Sequence, residues 1–228
     1  MYKYGAICWG YFVIAVVDYQ MGNLLSVERG LRGVGADARI TADAKEIARA
    51  DAIVLPGVGA FYDAAQSMRD LGQMEVIAKR VREGVPFLGI CLGLHLMCEA
   101  GVEGAFEGKT IPGMGLIPGV VDKMPAVDRA GVCYKIPHVG WNTVEPVNEG
   151  EFVNPLFADV EPEEYFYFTH SYCVPLTDAT IAKTRHSIEF SSAAQFGDVA
   201  FGVQFHPEKS SDAGAKILRN FASLAGQL

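Results

Sequence analysis

A cysteine framed by two glycines is the feature of this 228-residue chain best suited to covalent chemistry. Gly89 and Gly93 flank Cys91, and the apolar run 85–90 just before it predicts a buried strand. At a turn from strand to helix, small flanking residues leave room for a strained backbone, and the helix N-terminus favours a thiolate. This G-x-C-x-G pattern is the thiol counterpart of a nucleophile elbow. A core cysteine between two packing glycines is the alternative for the pattern taken alone.

A base for such a nucleophile stands at the end of another apolar run. Residues 200–205 predict a strand that delivers His206, and Pro207 biases His206 toward extended backbone. Glu208 then lies on the same side of the chain as His206 and can accept the second imidazole N–H. Alone, the three residues could be a strand end with a solvated glutamate. Cys91 and His206 both follow predicted strands, however, and open α/β sheets place their sites at this edge.

A glycine-rich loop follows a third predicted strand, at 51–55. Gly57, Val58 and Gly59 could present backbone N–H groups to a tetrahedral oxyanion, together with the N–H of Leu92 directly after the cysteine. A plain connecting loop is the alternative. A phosphate-binding loop is disfavoured, because neither glycine cluster has the G-x-x-x-x-G-K-[ST] spacing.

Composition narrows the classes of partner. The net charge of −8 and the pI near 5.1 disfavour nucleic acid and anionic membranes, because no basic stripe is present. An apolar stretch at 7–17 is too short to span a bilayer, which takes about 20 residues. The cysteines show no CxxC pair, which disfavours a zinc or redox site and favours a reduced, cytoplasmic protein without metal or cofactor. They are Cys8, Cys91, Cys98, Cys133 and Cys173.

The order of apolar segments predicts an α/β fold. Strands at 12–19, 36–40, 51–55 and 85–90 alternate with helical patterns, which predicts an open, mostly parallel sheet with helices on both faces. Asn23 is placed as the N-cap of the first helix. Short strands follow one another after Gly108 and predict additional antiparallel strands, before a closing helix at 211–225. Residues 12–228 are interpreted as one domain and residues 1–11 as an N-terminal extension.

Several motifs then match a known family. GICLGLH around Cys91, GVQFHPEKS at 202–210 and PGVG at 56–59 resemble the class I (triad) glutamine amidotransferases. DYQMGNLLSV at 18–27, IPHVGWN at 136–142 and YFYFTHSY at 165–172 are similar to the branch of that family that serves histidine biosynthesis. The likeness runs from about Val13 to the C-terminus.

The resemblance implies a fold, a substrate, a partner and further site residues. L-glutamine would be hydrolysed to glutamate and ammonia by Cys91, His206 and Glu208, and the ammonia would pass to a cyclase subunit with a (β/α)8 barrel. By motif position, Ser171 and Tyr172 would bind the main-chain end of glutamine, with Glu103 near its amino group. The residues implied to face the cyclase are Asn23, Trp141, Tyr167 and Lys209, although Trp141 and Tyr167 could instead pack in the core.

Two positions depart from the family pattern. His95 stands where a glutamine usually contacts substrate, and it could act as a substitute donor or as a second imidazole near the thiol. Gln20 replaces a usual glycine. Two other interpretations stay open. The chain could serve another amidotransferase, such as one of anthranilate, guanylate or pyridoxal phosphate synthesis, or it could be a catalytically silent regulatory subunit.

Overall fold

The computed structural model of the protein describes residues 13–148, 150–162 and 164–228. The extension predicted at residues 1–11, with Cys8, lies outside these residues. Within them, no helix is both long and apolar enough to cross a membrane. The strands are β1 Ile14–Val17, β2 Ala38–Thr41, β3 Ala52–Gly57, β4 Phe87–Cys91, β5 Cys98–Gly101, β6 Ile111–Pro112, β7 Ile117–Lys123, β8 His138–Thr143, β9 Glu145–Pro146, β10 Tyr165–His170, β11 Tyr172–Cys173, β12 Thr180–Arg185, β13 Glu189–Phe196 and β14 Ala200–Val203. The helices are α1 Leu24–Gly33, α2 Ala44–Ile47, α3 Phe61–Asp70, α4 Gln73–Arg82, α5 Leu92–Met97 and α6 Ser211–Leu224, with short 3-10 turns at Pro155–Phe157 and Pro207–Lys209.

An eight-stranded sheet forms the centre, in the order β2-β1-β3-β4-β14-β13-β12-β9. The first five strands of this order run parallel, and β14, β13, β12 and β9 then pair antiparallel. This confirms the predicted mostly parallel sheet with antiparallel strands added from the C-terminal half. Strand β14 is the one that returns beside β4, so it brings the last part of the chain next to Cys91.

Apolar side chains fill both faces of this sheet, as a doubly covered parallel sheet requires. Val27 and Leu31 of α1 and Phe221 of α6 pack on one face. Phe61 of α3, Ile77 of α4 and Leu94 of α5 pack on the other. Alternation along a strand serves both faces, because successive side chains point to opposite sides. Between β3 and β4 the chain forms two helices, α3 and α4, which are separated at Gly72 with φ +65°.

Two smaller sheets sit at the carboxyl edge and include features that the sequence did not predict. One contains β11, β7, β5 and β6, and the other is the antiparallel pair of β8 and β10. Helix α5 has only six residues, so Cys98 begins a strand rather than continuing a helix. Cys98 is fully buried there.

Asn23 is the N-cap residue of helix α1, as predicted, but it caps the helix through its backbone only. Its backbone carbonyl accepts the first helical bond from Val27, but its side chain makes no capping hydrogen bond. The backbone angles of Asn23, φ −92° and ψ 58°, lie outside the extended region from which a capping side chain usually reaches the first-turn N–H groups.

Helix α6 must approach the Pro207 turn closely, which generates a test of the fold. A Cβ at Gly214 would lie 1.9 Å from the Pro207 oxygen, so we expect Gly214→Ala to lower the free energy of unfolding by about 1–3 kcal/mol. Gly33→Ala in helix α1 is the matched control, because no atom lies within 4 Å of the added carbon. Urea denaturation measures both variants. Equal midpoints for Gly214→Ala and wild type would contradict the close approach.

Candidate active site

Cys91 occupies a strained turn between β4 and α5. Its φ of +53° and ψ of −103° lie outside the regions that L-residues usually adopt. The turn is possible because the backbones on either side come together. A Cβ at Gly93 would lie 2.0 Å from the Leu55 oxygen, and one at Gly89 would lie 2.6 Å from the Gly93 carbonyl carbon. The two flanking glycines are therefore required by space, and the strain resembles that found at functional sites.

The neighbouring strands bring the other predicted groups to the same edge. In the register of the sheet, Gly57 at the end of β3 lies opposite Cys91 at the end of β4. On the other side of β4, Val203 of β14 pairs with Ile90, so the residues that follow β14 lead past the cysteine. Gly59 has φ +110°, a value that glycine adopts readily, and it continues the loop beside the sulfur.

His206 and Glu208 form a buried, hydrogen-bonded pair. Nδ1 of His206 lies 2.9 Å from Oε1 of Glu208, and the two side chains are only 2% and 1% exposed. His206 has the extended backbone that Pro207 predicts. Ser210 holds the segment, because its Oγ donates to the His206 carbonyl oxygen at 2.6 Å.

The charge environment of His206 favours a protonated ring. Burial alone lowers the pKa of His206, but the Cys91 sulfur and the Glu208 carboxylate outweigh burial and raise the pKa to about 9. Nε2 of His206 makes no hydrogen bond of standard geometry to the described residues. It is the ring nitrogen left free by Glu208, and the pairing of β14 with β4 brings the segment of His206 to the same sheet edge as Cys91. A thiolate beside an imidazolium is suited to attack a carbonyl carbon and protonate the leaving group.

A pocket of about 360 Å³ opens beside the sulfur. It collects most of the residues that the sequence analysis assigned to substrate and oxyanion. The lining comprises Val58, Gly59, Cys91, Leu92, His95, Glu103, Pro137, Thr169, His170, Ser171 and Tyr172. His206 and Glu208 do not line the pocket, because their side chains are almost fully buried. Gly57 does not line it either; it lies opposite Cys91 in the pairing of β3 with β4.

Glu103 lines the pocket and also makes a hydrogen bond that its position in the sequence does not suggest. Its Oε2 accepts the backbone N–H of Phe61 at 3.0 Å, at the start of α3. Burial raises the pKa of the Glu103 carboxyl, the bond from Phe61 opposes this rise, and Asp63 adds to it. The carboxylate is thereby fixed at the rim of the pocket, where it could accept an ammonium group.

Gln204 is a residue of the site that sequence reasoning missed. Its Nε2 lies 3.6 Å from the Cys91 sulfur, and its Oε1 lies 2.8 Å from Nε2 of His95. Burial lowers the pKa of His95 to about 4, so this ring is neutral. His95 is therefore a much weaker base than an ordinary histidine and does not compete with His206 for the proton of the thiol. The signal was present in the sequence, because Gln204 precedes His206 by two residues and shares its side of an extended chain.

Three of the four residues implied to face a partner lie together on the surface. Trp141 is 51% exposed and contacts Tyr167 edge to face, with ring centroids 6.1 Å apart. Nζ of Lys209 lies 5.8 Å from the Tyr167 ring. We call Trp141, Tyr167 and Lys209 the aromatic patch. Asn23 is partly buried at the start of α1. The exposure of Trp141 rules out the alternative that it packs in the core.

Two of the other described thiols, Cys98 and Cys173, are unsuited to nucleophilic chemistry at neutral pH. Burial raises the pKa of Cys98 to about 12, with a further rise from Glu99. Burial also raises the pKa of Cys173 to about 12, with a contribution from Asp122. Cys133 is free and exposed, away from the pocket.

Comparison with known proteins gives consistent matches. The family model described as "Glutamine amidotransferase class-I" matches residues 15–224. The chain is 43% identical over 214 residues to the "Imidazole glycerol phosphate synthase subunit HisH" of Caldanaerobacter subterraneus subsp. tengcongensis, covering 93% of this chain and 98% of that protein. It is 44% identical over 213 residues to the protein of the same name from Nostoc punctiforme, covering 92% of this chain and 95% of that protein.

Solved structures show the same fold at low sequence identity. A structure titled "Crystal structure of glutamine amidotransferase" superposes with a TM-score of 0.67 at 19% identity, covering 93% of this chain and 98% of that one. A chain of the PurLQS structure from Thermotoga maritima gives a TM-score of 0.66 at 16% identity, covering 92% of this chain and 97% of that one.

The raised pKa of His206 can be measured directly. We expect NMR titration of the wild type to place this pKa near 9, and Cys91→Ala and Glu208→Gln each to lower it because each removes a negative neighbour. Since the folded pKa exceeds the usual value, the pair stabilises the fold fully below pH 6.5 and loses that contribution as pH rises through about 9. A His206 pKa that is unchanged in both variants would contradict the arrangement.

Proposed function

Because the chain belongs to the class I glutamine amidotransferase family, we propose that it is the glutaminase subunit of an imidazole glycerol phosphate synthase in histidine biosynthesis. The observation that carries the proposal is the placement of Cys91 and of the His206–Glu208 pair after two neighbouring strands, beside a pocket lined by the predicted glutamine-binding residues. The identity of 43% to a HisH protein over nearly the whole length of both chains supports this member of the family.

The proposed reaction begins with the Cys91 thiolate. Its sulfur attacks the side-chain carbonyl carbon of L-glutamine, and the resulting oxyanion accepts N–H groups from the Gly57-Val58-Gly59 loop and Leu92. The imidazolium of His206 gives its proton to the departing nitrogen, and ammonia leaves a thioester on the sulfur. Neutral His206 then takes a proton from water, whose oxygen attacks the thioester carbon. The C–S bond breaks, the new carboxylic acid leaves and releases its proton to solvent as glutamate, and the thiolate and imidazolium are restored.

Glu208 and the pocket residues hold the reactants in place. Glu208 accepts the Nδ1–H of His206, which fixes the tautomer and leaves Nε2 for the sulfur and the leaving group. Ser171 and Tyr172 bind the main-chain end of glutamine, Glu103 accepts its ammonium group, and His95 contacts the substrate from the helix after the nucleophile. Each of these groups lines the pocket that contains Cys91.

The ammonia is used by a second protein chain. Free ammonia is protonated in water near neutral pH, so a closed path to the site of its use preserves its nucleophilicity. We propose a cyclase with a (β/α)8 barrel as the partner in a heterodimer, forming imidazole glycerol phosphate and aminoimidazole carboxamide ribotide. The aromatic patch supports a docking surface near the site, and Asn23 is proposed at its edge. A reducing cytoplasm suits a thiol nucleophile.

Removing the nucleophile tests whether the chain is an enzyme or a silent regulatory partner. With the cyclase and an analogue of its substrate present, we expect wild type to release glutamate and Cys91→Ala to release none above background, because the thioester cannot form. Cys133→Ala, which changes an exposed cysteine, should keep wild-type activity. A coupled glutamate dehydrogenase assay measures all three. A wild-type complex that releases no glutamate would favour the silent partner.

Removing the largest member of the aromatic patch tests the docking surface. We expect Trp141→Ala to weaken binding of the cyclase by about tenfold to a hundredfold, because exposed tryptophans that become buried are common anchors of interfaces. Phe106→Ala removes an aromatic side chain that is 85% exposed outside the patch and should leave the dissociation constant unchanged. Isothermal titration calorimetry measures both, and equal effects of the two substitutions would place the interface elsewhere.

A further inference from the structure

Three imidazoles that the proposed mechanism does not use cluster at one end of the β8–β10 pair, those of His138, His170 and His186. His138 and His170 are 5% and 6% exposed, and they lie on neighbouring strands at directly opposed positions. The His138 ring stacks on His186, with centroids 4.2 Å apart, and on Phe168 at 5.0 Å. His170 lines the same pocket as Cys91. Stacking would be enough to bury these rings in the core, but hydrogen bonds also link the rings of His138 and His170.

The direction of every bond in this cluster follows from one carbonyl. Nδ1 of His170 lies 2.9 Å from the Tyr172 carbonyl oxygen, which can only accept, so this nitrogen carries the hydrogen. Burial holds the pKa of His170 well below its usual range, so the ring is neutral and its Nε2 is an acceptor. Nδ1 of His138 lies 3.0 Å from that Nε2 and must therefore be the donor.

The chain of bonds continues to Asn142. Burial and His186 lower the pKa of His138 to about 4, so its Nε2 is an acceptor, and Nδ2 of Asn142 lies 3.2 Å from it. The orientation of the Asn142 amide is fixed independently. Its Nδ2 also donates to the Arg185 carbonyl oxygen at 3.0 Å, and its Oδ1 accepts the backbone N–H of Thr143 at 2.9 Å.

The two ends of this chain lie in different functional regions. One end is the Tyr172 carbonyl, in the segment of Ser171 and Tyr172 that lines the pocket. The Ser171 carbonyl accepts the backbone N–H of Met124 at 2.9 Å, and the segment continues into β11, which pairs with β7. Backbone pairing therefore holds the strand, and His170 adds a side-chain bond to the Tyr172 carbonyl. The other end, Asn142, follows Trp141 of the aromatic patch directly in the sequence.

We propose that His138 is a positioning residue for glutamine, which acts through His170 to fix the Tyr172 carbonyl and with it the segment that receives the substrate. The inference rests on the proposed function, because it assigns that segment to glutamine. Donation from His138 holds the His170 ring in the tautomer and orientation that bind the carbonyl. Without that donor, His170 keeps a buried acceptor with no partner, and its ring is free to turn away from Tyr172.

Two substitutions separate this role from packing. His138→Phe keeps a flat ring against Phe168 and His186 but removes the donor, whereas His138→Asn places an amide near the position of Nδ1. In the complex with the cyclase, we expect His138→Phe to raise KM for glutamine about tenfold and to change kcat less than about twofold. We expect His138→Asn to restore KM to within about threefold of wild type. An unchanged KM in His138→Phe, or a loss confined to kcat, would overturn the proposal.

A measurement on the wild type guards against a variant that does not fold. Nitrogen-15 NMR of labelled histidine should show His138 and His170 each with hydrogen on Nδ1, and either ring with hydrogen on Nε2 alone would overturn the order of bonds. This readout does not depend on activity. If wild type with its cyclase released no glutamate, the proposed function would fail, but the tautomers would still show whether the hydrogen bonds from His138 to His170 and on to Tyr172 exist.

Discussion

The approach of α5 to strands β3 and β4 is the constraint on which the site depends. Cys91 can take its strained backbone only because Gly93 lies against the Leu55 carbonyl and Gly89 lies against Gly93, without side chains between them. That approach also brings Gly57 alongside Leu92, whose Cβ would lie 2.7 Å from a Cβ at position 57. The thiol, the helix N-terminus and the glycine loop are thus assembled by one steric fit. The apolar faces of the sheet stabilise this fit from both sides.

Around this turn, the pKa values of the buried histidines are shifted in opposite directions. His206 lies between a sulfur and a carboxylate, and its pKa is raised although burial opposes charge. Among the residues that the structure describes, no carboxylate pairs with His95, His138 or His170, and burial lowers the pKa values of these three rings. The site therefore holds one imidazole that carries charge and three that transmit only hydrogen bonds. Burial is similar in both groups, so the neighbours decide which ring can move a proton.

Local patterns predicted much of this arrangement, and long-range contacts account for what they missed. The glycines around Cys91 and the His206-Pro207-Glu208 turn carry their geometry within a few residues, so spacing alone indicated them. The parallel strands were recognisable as continuous apolar runs. The pairing of Gln204 with His95 joins residues 109 apart in sequence, and the bond between His138 and His170 joins residues 32 apart, so no local pattern encodes either. Strand β5 was missed because its pairing with β7, and not its own composition, determines it.

The antiparallel pair of β8 and β10 has side chains that alternate between two environments. Val139, Trp141, Tyr165 and Tyr167 point outward, while His138, Phe166, Phe168 and His170 point toward the core and the pocket. In this two-stranded ribbon, these odd-numbered positions therefore face solvent and these even-numbered positions face the interior. The exposed side chains at the odd-numbered positions can therefore be substituted without changing the buried side chains at the even-numbered positions. An inserted or deleted residue would exchange the two sets, so this ribbon should tolerate substitution far better than a change of length.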